Sequence, residues 1–154
     1  DNPELARSLV SEYSRLRYEG LELFPGVYET LEWIKQRGIG LGMLTNGESS
    51  LQRAKINKFN LEPYFDVIQV EGEAGIGKPE VHAYHKILSS LGRSIEETWI
   101  VGDNIEWEVK VPQSLGFFAI WMNYYQKELK DKAITPNRII HQVPEMIELL
   151  KEQA

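Results

Sequence analysis

Three short segments of the chain carry side chains that could bind an anion or a metal ion. Thr45-Asn46-Gly47 offers a hydroxyl, an amide and backbone N–H groups at the start of a helix, a combination that suits an anion. Lys78 follows a glycine loop and precedes Pro79 at a helix start. The helix dipole disfavours a lysine there, so a bound anion would account for its position.

The third segment is acidic. The apolar residues before Gly102-Asp103 predict a strand, and the helix that follows carries Glu106 and Glu108. Carboxylates at a strand end are the ligands that Mg²⁺ prefers, with water and substrate phosphate completing its octahedron.

Each segment also has an ordinary structural interpretation. Thr45-Asn46-Gly47 could be a strand-to-helix turn with a Ser or Asn cap, Lys78 a solvated surface lysine, and Asp103 a helix cap. The three histidines do not form a convincing metal set. For the aromatic pair Tyr124-Tyr125, loop contacts are favoured over stacking with nucleic-acid bases.

Alternating helices and strands are expected to position these segments. Apolar periodicity predicts helices over residues 3–19, from Val27 to Gly38, 49–58, 79–91, about 105–115 with an interruption at Pro112, and from Pro144. Short apolar runs predict strands over 39–44, which should be buried, and over 66–70, 98–101, 117–121 and 138–140. Such strands need crossover connections, so we expect a three-layer α/β/α, Rossmann-like open parallel sheet. Ligands bind such sheets at the carboxyl ends of the strands.

Composition excludes several classes of protein. The 154 residues suit one domain, and 17 Lys plus Arg against 23 Asp plus Glu give a net charge of −6. This balance argues against a partner that is nucleic acid or a membrane surface. The chain has no cysteine, which excludes disulfides, thiolate zinc sites and a cysteine nucleophile, and we expect a cytoplasmic location.

Taken in order, the three segments resemble motifs of a known family. Leu44-Thr45-Asn46-Gly47, Gly77-Lys78-Pro79 and Val101-Gly102-Asp103 resemble motifs two, three and four of the haloacid dehalogenase (HAD) superfamily, and the resemblance runs from about Phe24 to Trp121. It implies a magnesium-dependent phosphatase of a small phosphorylated metabolite that works through an aspartyl-phosphate.

The resemblance also implies roles for individual residues. Thr45 and Asn46 match the positions that hold the phosphoryl oxygens, Lys78 matches the lysine that neutralises phosphate and nucleophile, and Asp103 matches the metal-binding acid. Glu108 stands where the family usually has Asp, so it is expected to be a metal ligand or to support the metal through water. Asn104 and Glu106 are expected in supporting positions.

The family's first motif, Asp-x-Asp-x-Thr, is absent from the sequence. Its first aspartate is the nucleophile, and its strand lies in the middle of the sheet. We therefore expect residues 23–154 to be a HAD-like core that is incomplete at its N-terminus and inactive as it stands. Residues 1–22 resemble the last helix of a helical cap. The missing strand would belong to a longer, truncated protein or come from a partner chain.

Two other functions stay open on the sequence. One is a 2-haloacid dehalogenase, which needs no metal. The other is a non-catalytic binding or scaffolding domain that has kept the fold.

Overall fold

Helices and strands alternate along the chain, as the apolar pattern predicts. The computed structural model describes residues 3–129 and 131–152. The helices are α1 (Pro3–Glu19), α2 (Val27–Gln36), α3 (Ser49–Lys58), α4 (Glu71–Ala74), α5 (Val81–Leu91), α6 (Val111–Leu115) and α7 (Glu145–Lys151), with a 3-10 turn at Glu62–Tyr64 and a π-helical segment at Ile105–Lys110. The strands are β1 (Gly42–Thr45), β2 (Val67–Val70), β3 (Trp99–Gly102), β4 (Phe118–Met122) and β5 (Arg138–Ile140).

Proline marks two differences from the predicted boundaries. Helix α5 begins at Val81 because Glu80 has an extended backbone and forms the N-cap, so Pro79 lies before the helix. The predicted helix over 105–115 is two segments, and Pro112 lies in the first turn of α6, where the missing proline N–H costs no hydrogen bond.

The strands form two parallel sheets in the described part of the chain. In one sheet β1 pairs with β2, from Gly42 opposite Val67 to Thr45 opposite Val70. In the other, β4 lies between β3 and β5. The α/β Rossmann-like architecture is therefore confirmed, but no described pairing joins β1 to β3.

A cleft of about 790 Å³ lies between the two sheets. Leu44 of β1 and Ile100 of β3 line it, together with Tyr84 of α5 and Met146 of α7. Strand β1, predicted to be buried, has no fully buried residue, and in the described part of the chain no strand pairs with its second edge.

The buried core lies mainly around the second sheet. Ala119, Ile120 and Trp121 of β4 are at most 5% exposed, since helices cover both faces of this central strand. This packing fixes the carboxyl ends of β3 and β4 and so positions the residues that follow them.

Helix α1 exposes large apolar side chains. Its residues Leu5, Leu9, Tyr13 and Leu16 are more than half exposed, although their spacing makes the helix amphipathic. The ammonium group of Lys58 on α3 donates to the carbonyl oxygens of Tyr18, Glu19 and Leu21, at 2.5, 3.0 and 3.1 Å, and so anchors the C-terminal end of α1. None of the helices in the described ranges is long and apolar enough to span a membrane.

Candidate active site

Three of the predicted site residues lie at or beyond the carboxyl ends of three parallel strands. Thr45 is the last residue of β1, Asp103 follows β3 directly, and Lys78 ends the loop after β2 and α4. The short strands and the crossover connections bring these three segments to one edge of the fold.

Lys78 forms a buried ion pair. Its Nζ lies 2.6 Å from Oε1 of Glu108, and the two side chains are 14% and 6% exposed. Lys78 is therefore not the solvated surface lysine of the ordinary interpretation. A buried cation at this edge of the sheet is suited to neutralising an anion.

Asn46 holds the backbone of Lys78 with two hydrogen bonds. Its Nδ2 donates to the carbonyl oxygen of Lys78 at 2.6 Å, and its Oδ1 accepts from the N–H of Lys78 at 2.8 Å. Because the Asn46 side chain makes these bonds, a phosphate group would meet the Asn46 backbone. The side chain instead positions Lys78 relative to the loop after β1.

The loop after β1 is further held by two residues that the sequence did not single out. The hydroxyl of Thr45 lies 3.3 Å from Oε1 of Gln52, and the N–H of Gly47 donates to Oε2 of Glu71 at 2.8 Å. Glu71 therefore uses one backbone donor of the predicted anion loop. Because Glu71 directly follows β2, inspection of every strand end would have identified it.

An ion pair on the surface ties helix α4, which precedes the loop of Lys78, to helix α3. Arg53 makes a two-pronged ion pair with Glu73, at 2.8 Å for both hydrogen bonds, and the hydroxyl of Ser49 donates to the same carboxylate. The Arg53 guanidinium, with the Ser49 hydroxyl, lowers the pKa of Glu73 to about 2. Glu73 therefore remains charged at neutral pH and restrains the start of this loop.

The acidic segment separates into residues with different roles. Asn104, rather than Asp103, caps the helical segment by accepting from the N–H groups of Glu106 and Trp107. Asp103 is exposed, and its carbonyl oxygen accepts from the indole N–H of Trp121 at 3.1 Å. The alternative interpretation of Asp103 as a helix cap is therefore wrong.

Glu106 and Glu108 point to different partners. Glu106 pairs with Lys110 at 3.1 Å on the exposed side, so the structure does not bring it to the site. Glu108 is buried, and its Oε2 accepts from the N–H of Asn104 while Oε1 contacts Lys78. Both oxygens of Glu108 thus have partners within the chain.

The donor set fits Mg²⁺ in part. Asp103 supplies one accessible carboxylate, and Mg²⁺ typically takes one or two carboxylates with waters and substrate phosphate. Among residues 3–129 and 131–152, no three His, Asp or Glu side chains form a group that could hold a metal ion. Asp103 is therefore a residue that could bind the ion, with water and substrate phosphate as further ligands.

Alanine at Gly102 is expected to destabilise the protein. A Cβ there would lie 2.1 Å from Cγ of Glu108, so Glu108 would have to move and lose its contact with Lys78. Such overpacking costs about 1–3 kcal/mol of unfolding free energy, measurable by thermal unfolding. Gly40→Ala is the matched control, because its Cβ would meet the nearest atom, Oδ2 of Asp66, at 3.5 Å. Equal melting temperatures for the two variants would contradict this packing argument.

Comparison with known families agrees with this geometry. The sequence profile of the haloacid dehalogenase-like hydrolases matches residues 5–116, which include Thr45, Lys78 and Asp103. The chain belongs to the haloacid dehalogenase-like hydrolase family. The matched region ends after the acidic segment, so it spans the three site segments of this HAD chain.

The HAD relatives with curated functions include phosphatases. The chain is 35% identical over 121 residues to a phosphoserine phosphatase of Thermus thermophilus, covering 79% of this chain and 48% of that protein. It is 25% identical over 151 residues to a glyceraldehyde 3-phosphate phosphatase of Methanocaldococcus jannaschii, covering 97% and 66%. The chain thus spans between about half and two thirds of the length of these relatives.

A solved HAD structure has the same fold. The HAD hydrolase YfnB of Bacillus subtilis, in a crystal structure bound to magnesium, superposes with a TM-score of 0.82 at 28% identity. The match covers 91% of this chain and 61% of that one.

Proposed function

We propose that the whole protein is a phosphatase of a small phosphorylated metabolite. The observation that carries this proposal is the buried Lys78, held by Glu108 and Asn46 at the carboxyl ends of the strands. Such a cation stabilises the charge of a transferring phosphoryl group far better than an exposed lysine does. The phosphatase relatives support the same reaction class.

The cleft between the two sheets supports the proposal that a further strand belongs between them. The edges of β1 and β3 face a cleft of about 790 Å³, and Val101 of β3 is 41% exposed. In the described part of the chain, Oγ1 of Thr30 is buried beside this cleft without a hydrogen-bond partner. Open strand edges and such a hydroxyl are costly unless another segment satisfies them. A strand inserted there would bring a nucleophilic aspartate next to Lys78.

We assign the remainder of the chain accordingly. By this assignment residues 23–154 are the HAD-like core without this strand, and residues 1–22, which include α1, are a remnant of a helical cap. The apolar side chains that α1 exposes fit packing against further cap helices. Without the aspartate, the 154-residue chain is expected to release no phosphate.

The residues of the chain have distinct parts in the proposed reaction. Thr45 and the backbone of Asn46 bind the phosphoryl oxygens, and Lys78 neutralises the phosphate and the attacking carboxylate. The aspartate attacks phosphorus while the ester bond breaks, and the leaving alcohol takes a proton from a neighbouring acid. Water then attacks phosphorus and gives a proton back to that acid, so the bond between phosphorus and the aspartate breaks and phosphate is released. Asp103 would hold Mg²⁺, which supplies charge neutralisation at the phosphoryl oxygens when bound.

A hydrolysis assay of the full-length protein tests this function. We expect it to release phosphate from phosphomonoesters such as phosphoserine and glyceraldehyde 3-phosphate, and to lose this activity in EDTA and regain it with Mg²⁺. Halide release from a 2-haloacid that survives EDTA would instead identify a dehalogenase. No turnover of either substrate class would leave a non-catalytic binding domain.

A further inference from the structure

A second cavity, of about 290 Å³, lies beside Asp103 at the carboxyl ends of β3 and β4. Its walls carry Phe24, Tyr124 and Tyr125, which are 40%, 37% and 71% exposed. Three exposed aromatic rings beside a candidate active site are unusual, because large aromatic side chains are generally buried or used in binding.

The three rings form one continuous aromatic wall. The ring centres of Phe24 and Tyr124 are 4.2 Å apart at an angle of 39°, and Tyr125 meets Tyr124 edge-on at 5.3 Å. Phe24 precedes α2 whereas the tyrosines follow β4, so two distant segments build this surface. The ammonium group of Lys127 lies 5.5 Å from the ring centre of Tyr125 and adds a positive charge at the rim.

The loop that carries the tyrosines is held in place by Asn123. The side chain of Asn123 is buried, accepts from the N–H of Lys127 at 2.8 Å and donates to its carbonyl oxygen at 3.0 Å. The backbone oxygen of Asn123 also contacts the N–H of Gln126 and the ring of His141. The rings are therefore presented on a fixed turn, which reduces the entropy lost when a ligand stacks on them.

The cavity that carries the aromatic wall is also lined by Asp103 and by Trp121, which contacts the backbone of Asp103. Trp121 is 5% exposed and lines the same cavity, and its indole N–H donates to the carbonyl oxygen of Asp103. A phosphomonoester whose phosphate lies near Asp103 would extend its leaving group toward Tyr124 and Tyr125.

We propose that this cavity binds the substrate's leaving group and prefers one that carries a planar aromatic ring. The inference rests on the proposed phosphatase function of the adjacent site. Edge-to-face and stacked arrangements with Tyr124 and Tyr125 favour a flat ring over a saturated one of equal size. The cavity volume suits one such ring rather than a polymer.

Calorimetry with non-hydrolysable phosphonates tests this preference in the full-length protein. The probes are benzylphosphonate and cyclohexylmethylphosphonate, which match in size and charge but differ in aromaticity, with inorganic phosphate as the reference. We expect benzylphosphonate to bind about tenfold more tightly than its saturated counterpart. Tyr125→Leu should abolish this difference, whereas Tyr28→Leu, an exposed tyrosine on α2 outside the cavity, should retain it.

The outcomes separate this inference from the proposed function. Equal affinity for the two phosphonates, with inorganic phosphate still bound, would overturn the aromatic site and leave the phosphatase proposal standing. Failure to bind inorganic phosphate and both phosphonates would overturn both. If Tyr125→Leu lowers the melting temperature but keeps the tenfold preference, the rings are a packing surface for the rest of the protein and the inference is wrong.

Discussion

Replacing Lys78 by methionine is expected to lower phosphate release by the full-length protein by about 10²- to 10³-fold. The ammonium group of Lys78 is the buried cation that we propose neutralises the phosphoryl group, and methionine keeps the volume without the charge. The variant also leaves Glu108 buried and unpaired, which costs about 3–5 kcal/mol of unfolding free energy. Steady-state phosphate release and thermal unfolding measure the two effects separately.

A second variant distinguishes loss of chemistry from loss of folding. In Lys78→Met combined with Glu108→Gln, the unpaired charge is removed and the amide oxygen can still accept from the N–H of Asn104. We expect this double variant to recover most of the melting temperature but none of the activity. Lys110→Met is the matched control, because its ion pair with Glu106 is exposed and contributes little. Recovery of turnover in the double variant would refute a catalytic role for Lys78.

The order of helices and strands could be predicted because each element carries its own local pattern. Strand β5 and helix α3 have the predicted bounds, since apolar runs and turn residues lie next to each other in sequence. The start of α5 could not be predicted as well, because the extended conformation of Glu80 depends on the loop that holds Lys78. The division into two sheets depends on pairing between strands that are distant in sequence, which local patterns do not predict.

The candidate site was predictable to the level of the strand ends. Thr45 ends one strand, Asp103 directly follows another, and Lys78 lies in the loop beyond a third, and parallel topology brings such positions to one edge. The contacts among them were not predictable, because Asn46 reaches 32 residues along the chain to Lys78, and Lys78 reaches 30 residues to Glu108. Local sequence patterns carry no information on such distances, so the contact of Glu108 with Lys78 could not be predicted from them.

Asparagine at Asp103 is expected to remove magnesium-dependent activity with little change in stability. Asp103 is exposed, and its backbone contact with Trp121 does not involve the carboxylate. The free energy of unfolding, followed by thermal unfolding, should therefore change by less than about 0.5 kcal/mol. The amide carries no charge to hold Mg²⁺, so we expect at least about a hundredfold lower phosphate release and weaker Mg²⁺ binding by calorimetry.

Glu106→Gln is the matched control for Asp103→Asn. Both substitutions remove one exposed carboxylate from the same segment, but Glu106 pairs with Lys110 away from the site. If the carboxylates only attracted Mg²⁺ at long range, both variants would lose a similar amount of Mg²⁺ affinity, because two exposed charges three residues apart are screened alike. A loss confined to Asp103→Asn requires direct binding by that carboxylate. Undiminished turnover in Asp103→Asn, or an equal loss in both variants, would show that the Asp103 carboxylate does not hold the metal.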